Sequence, residues 1–190
     1  MMNQKLCSCL AVVAFLSLAA SAAAAQATSS TLTTVTPSEP GTKLTVHGTV
    51  VDEQGRPVAE AQLHITQTDA SGYYTPERAM DEPNARLSGW IRSDAQGHFE
   101  LHTIRPGSYP QSTRLGERDR RIPAHIHIDV DAPGYAQRKL QAVFADDPVL
   151  EEPYWQNWAA SHQHPVLEVK TAEGGEEATL RISLKSSGHE

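Results

Sequence analysis

The chain has 190 residues, with 16 Lys and Arg against 23 Asp and Glu and a formal charge of −7 at pH 7. An acidic balance of that size argues against nucleic acid and anionic membranes as partners. The length suits one domain behind a leader, able to bury roughly 70% of its unfolded surface around a single core.

The N-terminal 25 residues have the three parts of a secretory signal peptide. Lys5 gives a short positive region, residues 10–18 are apolar but too few to span a bilayer, and residues 19–25 are small side chains suited to cleavage before Gln26. The mature protein is therefore expected to be secreted or periplasmic, with no membrane attachment after cleavage. Both cysteines, Cys7 and Cys9, fall inside the signal. The mature chain then has no thiol, which excludes disulfides and thiolate metal sites and leaves His, Tyr, Asp and Glu as the strong ligands. Removing Lys5 and no acid takes the formal charge from −7 to −8. Residues 26–42, rich in Ser, Thr and Pro, read as a flexible leader, and residues 43–190 as the folded domain.

From Lys43 onward, short alternating runs are separated by turn residues, the pattern of an all-β sandwich or barrel. Leu44, Val46, Gly48 and Val50 alternate on a first strand, residues 52–57 (DEQGRP) turn, and residues 58–66 alternate again. Residues 90–93 and 98–104 are expected to form a hairpin across a turn at 94–97, with Phe99 and Leu101 facing inward. Further strands are expected at 125–130, near 139–144 and at 178–185, where Leu180, Ile182 and Leu184 alternate. No stretch of the core region keeps a helical period. Residues 71–88 and 108–121 are left as long polar connections, which in a compact domain are more often functional than idle.

The run RIPAHIHIDV, residues 121–130, puts His125, His127 and Asp129 on one strand face and Ile126, Ile128 and Val130 on the other. Two imidazoles, the commonest metal ligands, thus converge above a packed apolar face. Each long connection also carries tyrosine beside a turn former: Tyr73 and Tyr74 after Gly72, and Tyr109 between Ser108 and Pro110. A phenol, with an unperturbed pKa of about 10, becomes a ligand only where a strong cation displaces its proton. Ferric iron is such a cation, because two phenolates neutralise much of its charge. Zinc, usually held by His, Cys or carboxylate, fits this set less well. The plainer role for any one of these tyrosines is a packed loop anchor.

Four segments occur in an order known from one family: GTVVDEQGRPVAEAQLHITQTDASGYY (48–74), SDAQGHFELHTIRPGSYP (93–110), RIPAHIHIDV (121–130) and LQAVFADDP (140–148). Over these segments the chain resembles the intradiol ring-cleavage dioxygenases, which include the catechol and protocatechuate dioxygenases. The most specific part is TIRPGSYP followed by PAHIH. The resemblance implies a β-sandwich of the intradiol dioxygenase or transthyretin-like type with long functional loops. It also implies a mononuclear non-haem Fe(III) held by Tyr74, Tyr109, His125 and His127. The reactants it implies are O2 and a small catechol-type substrate that chelates the metal through both oxygens. Tyr109 would be displaced to help take up a proton, and the ring would open between the hydroxylated carbons to a muconate-type diacid.

The resemblance further assigns catalytic roles to Tyr109, to Gln141 and to an arginine that stabilises negative charge developing on the ring. The neutral amide of Gln141 can donate a hydrogen bond without competing for iron. The arginine is out of step here: Ile122 stands directly before Pro123, where the family has it. Arg121 is therefore the first choice and Arg120 the second, within the basic run Arg118, Asp119, Arg120, Arg121 of a loop longer than usual. Thr66 stands where the family commonly has a tryptophan, before Gln67, which leaves pocket width and substrate size open. Oligomeric state is also open, a homo-oligomer included.

A rival reading is a non-catalytic β-sandwich binding module of the carboxypeptidase-regulatory or transthyretin-like kind, which matches residues 48–65 and 94–109 nearly as well. Such a module has no use for PAHIH or for two loop tyrosines aimed at it. A third reading keeps the fold and the metal but loses turnover through the displaced arginine. His162 and His164, in ASHQHP, lie beyond the matched segments and read as surface residues or adventitious metal ligands. Trp155 and Trp158 read as packing a loop or short helix against the core.

Overall fold

The alternating runs fold as two facing sheets. The structure is a computed structural model that describes residues 28–110 and 120–188. The expected signal segment, and Arg118 and Asp119, lie outside the described residues.

In chain order the strands are β1 (Thr31–Thr33), β2 (Lys43–Asp52), β3 (Gln62–Gln67), β4 (Leu87–Arg92), β5 (His98–Ile104) and β6 (Tyr109–Pro110). They continue as β7 (Arg121–Ile122), β8 (His125–Asp131), β9 (Arg138–Phe144), β10 (Val166–Leu167), β11 (Val169–Ala172) and β12 (Gly175–Leu184). A 3-10 turn at Glu82–Asn84 precedes β4, and one helix, α1 (Pro153–Ser161), lies between β9 and β10. The first sheet has the order β1-β5-β2-β12-β11 and the second β10-β9-β8-β3-β4, while β6 and β7 form a small ribbon of their own. Among the described residues no helix is long and apolar enough to cross a membrane.

Period-two alternation decides what lies between the sheets. Leu44, Val46 and Val50 of β2, Phe99 and Leu101 of β5, and Leu180, Ile182 and Leu184 of β12 form one side of the core. Leu63 and Ile65 of β3, Ile91 of β4 and Ile126, Ile128 and Val130 of β8 form the other. Burying each such aliphatic or aromatic side chain contributes about 1.5–3 kcal/mol, so this half of every strand holds the sandwich together and the outward half is free for polar groups. Gln67 is a buried joint between the layers. Its Nε2 donates to the Ile104 carbonyl at 2.9 Å, and its Oε1 accepts from the Thr103 hydroxyl at 3.0 Å.

Three expectations are corrected. The hairpin expected over 90–104 is a crossing between sheets, since β4 pairs with β3 and β5 pairs with β2. Asp94 Oδ1 accepts the Gln96 and His98 N–H groups at 2.9 and 2.7 Å, and Ser93 Oγ donates to the Val58 carbonyl at 2.8 Å. A tight turn between alternating runs has the same sequence signature whether the runs pair or part. The strand expected from residue 58 begins only at Gln62, because Glu60 takes a φ of 62° and breaks the extended run. Finally, the segment expected as a flexible leader contributes β1, which pairs in parallel with β5. Leu32 packs against the core in the space above Gly89, and Glu39 bonds Arg86 at 2.6 and 2.8 Å. One apolar side chain among Ser and Thr gives no alternation from which composition could reveal that strand.

Candidate metal centre

Strand β8 lies between β3 and β9, with His127 in register with Thr66 on one side and Gln141 on the other. Its isoleucines and Val130 face the core, so His125 and His127 project together from the outer face of the second sheet. The two tyrosine loops close over that face. Gly72, at φ 85°, packs so closely on the other loop that a Cβ there would stand 2.5 Å from the Ser108 carbonyl oxygen. The Gly107 N–H donates to the Asp69 carbonyl at 2.8 Å, further stitching the loops. Tyr74 is fixed by its own backbone, which donates to Ala79 and accepts from Arg86. Tyr109 pairs with Ile122 in the β6–β7 ribbon, so its loop is tied to the segment that leads into His125. Asp147, a buried carboxylate, accepts the Ala124 N–H at 2.5 Å and fixes the entry to β8.

These elements bring Tyr74, Tyr109, His125 and His127 into one cluster. Tyr74 Oη lies 2.9 Å from His127 Nε2 and 3.2 Å from Tyr109 Oη. Tyr109 Oη lies 3.4 Å from His125 Nε2, and the two Nε2 atoms are 2.9 Å apart. Four donor atoms thus form a closed ring with edges near 3 Å, the spacing expected of donors that share one ion at roughly 2 Å. Among the described residues no group of three or more His, Cys, Asp and Glu is gathered to hold a metal, and the atoms nearest the paired imidazoles are the two phenol oxygens.

The protonation states of the ring follow from its hydrogen bonds and its burial. The Nδ1 atom of His125 faces the Pro123 carbonyl at 2.7 Å, a contact that only an N–H can make favourable. Burial, and then the neighbouring His127, push the His125 pKa down to about 4; burial does the same for His127, also to about 4. Both rings are neutral at pH 7, and the Nε2 of His125 is a bare lone pair. The two phenolic protons can bridge Tyr74 to His127 and Tyr109 to His125. With His127 as its Nδ1–H tautomer, that arrangement leaves lone pairs opposed on the other two edges, between the imidazoles and between the phenols; as Nε2–H, His127 would donate within the ring instead. Burial raises the pKa of both phenols, followed by Tyr109 for Tyr74 and accompanied by the Glu82 carboxylate for Tyr109. Both phenols therefore stay neutral O–H groups unless a strong cation displaces their protons, and neutral imidazoles are the form that ligates.

The Arg121 Nε donates to Ser108 Oγ at 3.0 Å and an Nη donates to the Ser108 carbonyl, which holds its exposed guanidinium one residue from Tyr109. The Arg120 guanidinium instead stacks over Tyr154 at 4.3 Å. Gln141 is the cross-strand neighbour of His127, and Thr66, buried, is its neighbour on β3. His164 corrects the surface reading of the HQH motif: its Nδ1 accepts the Gln141 backbone N–H at 3.1 Å and its ring packs on Trp158 at 4.4 Å. His162 is exposed as expected, with Nδ1 on the Trp158 carbonyl at 2.8 Å. Trp155 and Ala159 of α1 are buried with Val143 and Leu150, so the tryptophan pair belongs to a short packed helix. Sequence reasoning passed over Glu82 and Asp147. Both are acids in non-repetitive segments, and no periodicity marks them.

A family model described as Dioxygenase matches residues 17–185. The catechol 1,2-dioxygenase of Candida albicans is 32% identical over 114 residues, covering 56% of this chain and 38% of the relative. Catechol 1,2-dioxygenase 2 of Acinetobacter lwoffii is 32% identical over 147 residues, covering 72% of this chain and 51% of the relative. The chain therefore spans about half, or less, of the length of these curated relatives. The dioxygenase domain of a dioxygenase–carbohydrate-binding protein fusion from Streptomyces sp. SirexAA-E superposes with a TM-score of 0.61 at 29% identity, covering 82% of this chain and 87% of that one. Because the family match takes in both sheets and both tyrosine loops, the chain belongs to the intradiol ring-cleavage dioxygenase family.

Proposed function

We propose that the chain is an exported, mononuclear non-haem Fe(III) intradiol dioxygenase that cleaves a small catechol with O2 to a muconate-type diacid. The observation that carries this reading is the closed ring of Tyr74, Tyr109, His125 and His127, with edges of 2.9 to 3.4 Å. The expectation of export rests on the N-terminal segment of Lys5, an apolar run and small residues.

A ferric ion held by these four residues would supply a Lewis acid that draws electron density from a chelated catechol and opens its ring to attack by O2. Both atoms of O2 enter the product, so no external reductant is required. The work of the chain is to set charge and move protons around that centre. The Tyr74 and Tyr109 oxygens would offset two of the three positive charges, and the neutral imidazoles would complete the donors without adding charge. Tyr109 is the looser phenol. Its Oη contacts His125 at 3.4 Å, against 2.9 Å between Tyr74 and His127, and Tyr109 is half-buried where Tyr74 is buried. Tyr109 Oη is thus the group suited to leave the ring and accept a catechol proton. Arg121, held at Ser108 one residue before Tyr109, is the arginine for stabilising negative charge on the substrate ring in this reading. Gln141, beside His127, can donate an amide N–H to the same charge.

The test is the visible spectrum and iron content of the purified mature protein, before and after anaerobic addition of catechol. Stoichiometric iron with a red-brown phenolate-to-iron band that shifts with catechol supports the proposal, as does oxygen uptake on aeration. A protein that stays colourless after ferric reconstitution sinks it and favours the non-catalytic module.

A further inference from the structure

The two imidazoles of the ring are held in different ways. His125 is oriented by backbone, through the Pro123 carbonyl at 2.7 Å from Nδ1. His127 has a side chain in that place: the Glu82 Oε1 acceptor faces its Nδ1 at 3.5 Å, the outer limit of hydrogen-bond distance. Asp129, two residues along β8, is the other acid whose charge acts on His127. It pairs with Lys139 at 2.7 Å.

Glu82 is brought to His127 by the segment that also delivers Tyr74. It opens the 3-10 turn, with Pro83 pre-setting the backbone, and Asn84 Nδ2 donates to Asp81 Oδ2 at 2.8 Å across the base of the turn. The Ala85 N–H closes the turn on the Glu82 carbonyl at 3.0 Å, and the next residue, Arg86, donates its N–H to the Tyr74 carbonyl at 2.9 Å. One closed loop therefore presents a phenol to the centre of the ring and a carboxylate to the back of an imidazole. A carboxylate behind a ligating histidine fixes its tautomer and makes its other nitrogen a better donor.

We infer that Glu82 is a positioning residue that holds His127 as the Nδ1–H tautomer, so that its Nε2 lone pair points into the Tyr–Tyr–His–His ring. The inference rests on the metal reading proposed above, but it makes a separate statement about the metal-free protein. It also bears on charge. Two phenolates leave a ferric centre with one net positive charge, and the Glu82 carboxylate, half exposed at the rim, offsets it.

The experiment compares the wild type with Glu82→Ala and Glu82→Gln by two readouts. The first is the 15N NMR shifts of the His127 ring in metal-free protein, which report its tautomer. The second is ferric affinity, by competition with a chelator, together with the visible band. In the wild type His127 is expected as Nδ1–H. Glu82→Ala should move it toward Nε2–H and weaken ferric binding roughly 10- to 100-fold. Glu82→Gln, which keeps an acceptor oxygen but no charge, should recover the tautomer and only part of the affinity. An unchanged tautomer and affinity in Glu82→Ala, in a protein whose wild type does take up iron, overturns the inference and leaves the metal reading standing. A tautomer that responds to Glu82 in a wild type that takes up no ferric ion upholds the hold of Glu82 on His127 and overturns the proposed function.

Discussion

His125 and His127 turn their Nε2 atoms toward each other across 2.9 Å while their Nδ1 atoms face away, one to the Pro123 carbonyl and one to Glu82. Two residues apart on a strand, they share a face because of the pleat alone. Their backs are held by unrelated parts of the chain. That arrangement suits a ligand pair, because two neutral rings that both turn lone pairs inward would gain little by being close unless something positive lay between them.

Removing either ring should therefore cost metal more than it costs fold. His125→Ala and His127→Ala are each expected to lower ferric affinity roughly 10²-fold or more, since three protein donors remain where four had closed the ring. Tyr74→Phe should act in the same direction. Tyr109→Phe, which removes the looser donor, should keep part of the iron and change its colour and turnover. Iron content measured on the purified variants decides this, and unchanged content in both histidine variants would refute the ligand assignment.

The same burial makes the metal-free protein sensitive to acid. Native His125 and His127 titrate at about 4 instead of 6.5, because burial penalises the imidazolium. Between those values the unfolded chain binds more protons than the native one, so stability is full above pH 6.5 and falls as pH drops toward 4. At about 1.4 kcal/mol per pH unit the gap is worth about 3 kcal/mol for one ring, and less than twice that for the interacting pair. Urea unfolding at about pH 7.5 and about pH 5 should show the loss, and a His125→Gln/His127→Gln double variant should show much less of it. Equal losses in both proteins would mean that other groups carry the acid sensitivity.

How much of this was legible beforehand depends on the range of each signal. Alternation gave Leu44 to Val50, Phe99 and Leu101, and Leu180 to Leu184 their inward sides, because period two is written in adjacent residues. The same local rule brought His125 and His127 together. It could not show that β2 and β12 pair in parallel, or that the turn at Asp94 parts two strands instead of joining them, since partner choice is made across the whole chain. The joining of Tyr74 and Tyr109 above the histidines came from resemblance, not from periodicity. Glu82 left no mark at all, and Asp147 none beyond lying in the resembling segment 140–148, because a carboxylate in a polar loop looks the same whether it orients an imidazole or faces solvent.

Arg121 is the residue on which turnover should depend most without loss of metal. Its guanidinium is held by the side chain and carbonyl of Ser108, the residue before the tyrosine that moves in the proposed reaction. Arg121→Ala is expected to leave ferric binding and the visible band in place and to lower kcat by roughly 10²-fold, the scale of one lost charge-stabilising donor. Arg121→Lys should not restore the rate, because an ammonium lacks the fork that reaches both Ser108 atoms. Wild-type rates in Arg121→Ala, with a loss in Arg120→Ala, would transfer the role to Arg120.

Gly72 and Gly134 separate the cost of a turn from the cost of a site. Both adopt left-handed backbone, at φ 85° and 82°, so an alanine at either loses conformational freedom that only glycine has. Around Gly134 nothing lies within 4 Å of an added Cβ, and Gly134→Ala should cost about 1 kcal/mol and leave iron binding alone. At Gly72 the added Cβ would stand 2.5 Å from the Ser108 carbonyl oxygen and 3.3 Å from Tyr109 Cβ, so the two tyrosine loops must separate. Gly72→Ala should cost about 2 kcal/mol or more and weaken ferric binding as well, because Tyr74 and Tyr109 ride on the loops that part. Thermal unfolding and iron titration of the two variants side by side test the claim. If Gly72→Ala binds iron as tightly as Gly134→Ala, the contact between the loops does not set the spacing of the phenols.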